Sequence, residues 1–335
     1  MEPTLILLVA VIVLALAFDA INGFHDAANA IATVVSTRVL TPKVAVIFGA
    51  VLNLVGALLG TEVAATVGKG IVESSAVSMP VVLCALVAAI IWNLITWVKG
   101  LPSSSSHALI GSLIGAVLGN AAFGAHAVKW QALSQKVLIP MVISPLAGLA
   151  IGYGVMLALT WLVHKWPLPI INNTFGKLQI VSAGFMALSH GHNDAQKSMG
   201  IIALALYTAF PQKGFSVDTW VVLACALAMG IGTLSGGWKI IRTLGSKMIK
   251  LQPIHGFAAE TAASATIMAA SHWGIPLSTT HVISSSIMGV GITKRLSALK
   301  LPIVGSILIA WVLTIPVTVL LAAALMGLWQ WAFGA

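Results

Sequence analysis

The chain has 335 residues, 59% of them hydrophobic and 7% charged, with 17 Lys and Arg against 8 Asp and Glu. A water-soluble domain carries about 25% charged residues, so a mean hydropathy of +1.03 excludes one here. The formal charge of +9 is spread between apolar runs rather than along a stripe, which argues against nucleic acid and for the positive-inside pattern of a membrane protein.

Taken in chain order, the apolar run at 5–18 comes first. It lacks a basic start and a small-residue cleavage site, so it is expected to belong to the mature protein rather than to a signal peptide. The polar stretch NGFHDAAN (22–29) follows, then runs at 44–59 and 80–98, then LPSSSSHALIGSLIGA (101–116). The run at 137–163 leads through a short link, 164–177, with no room for a soluble regulatory domain. SHGHNDAQKSMG (189–200), a run at 220–231, IPLSTTHVISSSIMGV (275–290) and a run at 303–328 complete the chain. Several runs approach the roughly 20 residues that cross a bilayer, so the class is all-α polytopic membrane protein, with lipid as its solvent. Cys84 and Cys225 lie inside apolar runs and read as packing residues. The tryptophans read as interfacial anchors. The basic loops Lys239, Arg242, Lys247, Lys250 and Lys294, Arg295, Lys300 should face the cytoplasm. A single final span then puts the C-terminus outside, and Glu2, alone among the first charges, fits an outer N-terminus.

The two polar stretches are related. NGFHDAAN and HGHNDAQK (190–197) share Gly23/Gly191, Asp26/Asp194 and Ala27/Ala195, with His25 and Asn193 before the aspartates. The serine-rich stretches share Pro102/Pro276, Ser104/Ser278, His107/His281, Ser112/Ser286 and Gly115/Gly289, and keep hydroxyls at 105/279 and 106/280. Asp26 precedes Pro102 by 76 positions and Asp194 precedes Pro276 by 82. Two motifs in one order at matched spacing imply an internal duplication: a first repeat at 1–125, a connecting span and link at 126–175, a second repeat at 176–295 and a C-terminal span at 296–335.

Duplicated halves with a polar interruption in each are the mark of secondary transporters. Gly23 and Gly191 are expected to permit a helix break, and Pro102 and Pro276 to open a new half-helix in its first turn. The hydroxyls would then sit at a helix start, where unpaired N–H groups favour an anion. Asp26 and Asp194 at membrane depth mark an ion path or a paired site. Asp19 reads equally as function or as a surface anchor, and Glu260 as a buried functional acid or an interfacial one. The competing reading of the hydroxyls is a bond back to a carbonyl one turn earlier. His190 and His192 with Asp194, or His25 with Asp26, supply metal-ligand types, but i, i+2 spacing does not share a helix face and no cysteine joins them. A Ser–His nucleophile at His107 or His281 fails on the same geometry. No enzyme, cofactor or structural metal is expected.

NGFHDAANAIAT (22–33), SHGHNDAQKSMG (189–200), PSSSSH (102–107) and PLSTTH (276–281) together resemble the PiT family of inorganic phosphate transporters, in its bacterial low-affinity form. The resemblance covers nearly the whole chain. It implies two inverted-topology repeats with broken helices and re-entrant hairpins, about 10–12 membrane segments, and a homodimer in the bacterial inner membrane. It implies Ser104, Ser105, Ser106, Ser278, Thr279 and Thr280 for phosphate, with arsenate as a competitor, and Asp26, Asn29, Asn193 and Asp194 for a coupling cation. Three positions depart from the family pattern: His25 stands before the first aspartate, Lys197 replaces the counterpart of Asn29, and Asn53 stands where animal members carry a glutamate. His25, His192, Lys197 and Glu260 are secondary candidates. Sodium could bind at Asp26 and Asp194, but the histidines and Asn53 favour protons, with phosphate free or as a metal complex. A sulfate or other oxyanion permease of the family is the alternative. A passive anion channel is the third reading, although such a channel needs no carboxylate at its anion site.

Overall fold

The computed structural model describes residues 3–294 and 298–334, so Glu2 and Arg295 lie outside the described residues. Among these residues the chain forms twelve main helices, six in each half. The first six are α1 (Pro3–Ser36), α2 (Pro42–Ala57), α3 (Glu62–Lys69), α4 (Met79–Lys99), α5 (Ser105–Leu118) and α6 (Trp130–Leu162). The second six are α7 (Leu168–Ala209), α8 (Thr219–Ser235), α9 (Trp238–Lys247), α10 (Pro253–His272), α11 (Thr279–Ile292) and α12 (Leu301–Phe333). Pro42, Pro80, Pro169, Pro253 and Pro302 stand in the first turn of their helices, where a missing N–H costs nothing.

Four helices, α1 from Thr4, α4, α6 and α12, are long and apolar enough to cross a membrane. The pairs α2–α3 and α8–α9 pass the same test as bent units, with breaks of 74° and 61°. Helix α7 runs for 42 residues, and its polar centre sets it apart from these four. Apolar side chains such as Val13, Ile47, Leu146, Leu320 and Leu328 are exposed, while Asp19, Asp26, Asp194, Glu260, Asn22, Asn29, Asn53 and Asn193 are buried. This inversion of the soluble pattern places lipid outside and the polar residues within.

The breaks do not fall where the glycines suggested. Helices α1 and α7 run unbroken through Gly23 and Gly191. These glycines serve close packing instead: a Cβ on Gly191 would overlap the Asn53 carbonyl oxygen of α2, and one on Gly23 the Met229 carbonyl oxygen of α8. The facing helices return the contact, since Gly56 lies against the Leu188 carbonyl and Gly232 against the Ala20 carbonyl. Small residues that let backbones approach are how helices associate in lipid.

These contacts also relate the halves. Helix α1 packs on α8 and α7 on α2; α5 packs on α12 and α11 on α6; α4 pairs with α1 and α10 with α7. The two contacts of each named pair join helices that hold matching places in the chain order of the two halves. Pro145 inside α6 and Pro316 inside α12 fall at matching places.

Candidate functional site

Two hairpins bring the serine-rich stretches to the centre. Helix α4 ends at Gly100 and α10 is followed by Gly274, both at φ 65°, a left-handed turn that glycine adopts without strain. Short extended segments then lead into α5 and α11. Pro102 and Pro276 lie in those segments rather than in the first helical turn, and Ser104 and Ser278 are the N-caps. Each cap hydroxyl accepts from the backbone N–H three residues on, His107 and His281, at 3.2 Å. The tips meet: Ser106 Oγ donates to the Leu277 carbonyl at 2.9 Å, and the His107 and His281 rings stand edge to face at 4.8 Å.

The hydroxyls converge on the two carboxylates. Ser105 Oγ donates to Asp26 Oδ2 at 2.9 Å and Thr279 Oγ1 to Asp194 Oδ2 at 3.3 Å. Thr280 Oγ1 crosses to Asp26 Oδ1 at 3.3 Å, and Asn29 Nδ2 reaches Thr280 at 2.8 Å and Thr279 at 3.3 Å. Ligand atoms of Asp26, His190 and Asp194 lie within 4.8 Å of one another. The back-bonding expected of ordinary membrane hydroxyls does occur, at Thr160 and Thr208, but the six tip hydroxyls point elsewhere. None of the six tip residues or two aspartates is more than 2% exposed, so the centre is closed to solvent in this conformation.

Each carboxylate has an imidazole beside it. His25 Nδ1 donates to Asp26 Oδ1 at 2.6 Å, its other nitrogen lying 3.0 Å from Thr96 Oγ1. His190 Nε2 lies 3.5 Å from Asp194 Oδ2, and its Nδ1 is 3.0 Å from Asn53 Oδ1. Asn53, itself donating to Thr233, therefore orients His190 rather than facing an ion. Lys197 Nζ donates to Asp194 Oδ1 at 2.5 Å. Asn193 Nδ2 donates to Ser271 at 2.7 Å. The side-chain oxygens of Asn29 and Asn193 are buried without a donor, and a neutral oxygen beside a carboxylate is the donor set that a hard cation takes.

Two candidates lie away from this centre. His192 bonds Gln196 within α7 and lies beside Gly60 in the α2–α3 break. Glu260 forms a cluster of its own, accepting from Thr33, from Ser182 and from Gln179 at 3.2 Å; it is fully buried rather than interfacial. Asp19 is likewise fully buried and is not a surface anchor. Trp311, unlike the exposed Trp161 and Trp331, is buried: it stacks on His281 at 4.0 Å and donates to the Pro102 carbonyl at 3.1 Å. Both cysteines are buried and free, as packing residues should be. Sequence reasoning missed Asn22, whose Oδ1 lies 2.6 Å from Ser105 Oγ and whose Nδ2 lies 3.5 Å from Asp194. It occupies the repeat position of His190, and the ungapped alignment already paired the two.

A centre of hydroxyls at two facing helix starts, backed by carboxylates, suits an oxyanion together with a cation. The comparisons agree. The protein described as "Probable low-affinity inorganic phosphate transporter" of Rhizobium meliloti (strain 1021) is 47% identical over 319 residues, covering 95% of each chain. A Bacillus subtilis (strain 168) protein of the same description is 45% identical over 327 residues, covering 96% of this chain and 97% of that one. Among solved structures, one described as "The sodium-dependent phosphate transporter" matches with a TM-score of 0.87 at 25% identity, over 97% of this chain and 99% of that one. The model of the phosphate transporter family matches residues 22–322, from the first aspartate motif into the last membrane helix. The chain is therefore no enzyme: it is a multi-pass membrane protein that belongs to the phosphate transporter family.

Proposed function

We propose that this chain imports inorganic phosphate by symport with a cation, protons before sodium, and that phosphate binds between the hairpin tips at Ser104–Ser106 and Ser278–Thr280. The carrying observation is the convergence of tip hydroxyls from both halves on Asp26 and Asp194. Phosphate near neutral pH keeps a proton and can donate to a carboxylate; sulfate cannot. A buried acceptor left unpaired costs about 1–3 kcal/mol, which supports phosphate, with arsenate as its close competitor. A dianion moving inward is opposed by about 2.3 kcal/mol per charge per 100 mV, and symported cations offset that opposition. The imidazole beside each carboxylate favours protons, because an imidazole can relay a proton to a group it touches. The grouping of Asp26, His190 and Asp194 suits a divalent cation travelling as metal phosphate.

Sodium is the second reading, favoured by the unpartnered Asn29 and Asn193 oxygens and by the likeness to a solved transporter described as sodium-dependent. A homodimer in a bacterial plasma membrane, with both termini outside, completes the proposal, as does an inverted repeat of a first unit at 1–125 and a second at 176–295. Purified protein in liposomes tests it: labelled phosphate should accumulate down an imposed proton gradient, be displaced by arsenate, and stop when a protonophore is added. Equal displacement by sulfate, or accumulation indifferent to every cation gradient, would refute it.

A further inference from the structure

Lys197 breaks the symmetry of the site. It stands 168 positions after Asn29, the separation that also relates Asp194 to Asp26, so the two are repeat counterparts. Asn29 brings a carbonyl oxygen to the first half, buried and without a donor. Lysine brings three donors and no acceptor. The Lys197 side chain is 1% exposed, and its Nζ lies 2.5 Å from Asp194 Oδ1. Asp19 of α1 and His107 of α5 lie within its electrostatic reach. One half thus offers a carboxylate and neutral oxygens, while in the other the carboxylate already holds a positive charge.

We infer that the Lys197 ammonium is a tethered cation occupying the coupling-ion position of the second half, so that Asp194 binds no sodium and a monovalent coupling ion is taken by the Asp26 half alone. This rests on the symport reading above. A carboxylate at this depth needs a positive partner, and a covalently held ammonium supplies one that cannot leave with the substrate. A second monovalent cation at Asp194 would meet a like charge across a short, poorly screened distance. Such an ion is excluded while the lysine is present and admitted when an oxygen replaces it. The competing use of a buried lysine, as a direct phosphate ligand, predicts something else: its loss would weaken phosphate binding and leave sodium irrelevant.

The experiment uses the full chain, purified as wild type, Lys197→Asn, Lys197→Arg and Asp26→Asn. Equilibrium binding of radiolabelled sodium is measured in detergent, and labelled phosphate uptake is measured in liposomes at fixed pH with and without an inward sodium gradient. Wild type and Lys197→Arg should transport phosphate without regard to sodium. Lys197→Asn should gain one saturable sodium per chain, and its uptake should rise roughly tenfold with sodium, within the usual range of coupling between two ligands. If Lys197→Asn does not survive purification, Asp26→Asn decides: saturable sodium binding there would place the ion at Asp194 and overturn the inference, and no binding supports it. Lys197→Asn with a raised KM for phosphate and no response to sodium also overturns it, assigning the lysine to the anion. Wild type that accumulates no phosphate under any gradient refutes the symport reading, whereas sodium binding judges Lys197 by itself.

Discussion

Replacing Asp194 by asparagine keeps the side chain's size and removes its charge, and the structure gives the consequence a magnitude. Lys197 is 1% exposed and Asp194 fully buried, so the variant leaves an ammonium unpaired in the protein interior. Breaking a buried pair by removing one partner costs about 3–5 kcal/mol. The lower end applies here, because the asparagine oxygen can still accept one bond from Lys197. At about 2.1 cal/mol/K per residue, 335 residues give roughly 0.7 kcal/mol per degree, so the melting temperature should fall by about 4 °C. Asp26→Asn, whose partner is His25 and not a lysine, should fall by less. The double variant Asp194→Asn with Lys197→Asn removes both charges and should recover at least half of the loss, the non-additivity of residues in direct contact. Thermal unfolding of detergent-purified protein, followed by size-exclusion chromatography, reads the three variants against wild type. An Asp194→Asn variant as stable as wild type, or a double variant no better than the single, would refute the reasoning.

Gly191→Ala and Gly23→Ala each set a methyl group against a backbone carbonyl. Each should lose about 1–3 kcal/mol through overpacking, while Gly154→Ala, which meets nothing within 4 Å, should be neutral or slightly stabilising in the same melting assay. Ser105→Ala and Thr280→Val each remove a donor to Asp26; bonds to charged groups contribute about 1.5–3 kcal/mol, so initial phosphate uptake should fall at least roughly tenfold with the protein still folded. Glu260→Gln places an amide where Thr33, Ser182 and Gln179 all donate. It should depress uptake while the protein remains monodisperse, and unchanged uptake would make Glu260 purely structural.

The duplication was legible because the chemistry repeats: aspartate after a polar residue, hydroxyls after a proline, histidine to follow. It carried the hairpins and the meeting of their tips, since Ser104 and Ser278 cap their helices identically. What misled was glycine. Within a polar interruption it reads as a break, but Gly23 and Gly191 face carbonyls of the other half, and a contact of that kind has no signature in the local sequence. The real bends, after Ala57 and after Ser235, fall at or just past the ends of the apolar runs at 44–59 and 220–231, where no motif pointed to them. Asn22 was hidden by its neighbours, because a lone asparagine beside a glycine gives no direction, whereas its alignment with His190 does. Lys197 stood out as a departure from the repeat, but its ion pair needed the helical i, i+3 geometry of α7 to become visible.

The central claim is that phosphate enters together with a cation, and that the cation is a proton. The most direct measurement traps a pH-sensitive dye inside sodium-free liposomes containing the wild-type protein, clamps the membrane potential, and adds phosphate outside. The account predicts prompt acidification of the lumen that saturates with phosphate and is lost in the Asp26→Asn variant. Phosphate uptake without acidification, restored to full rate only when sodium is supplied, would contradict it.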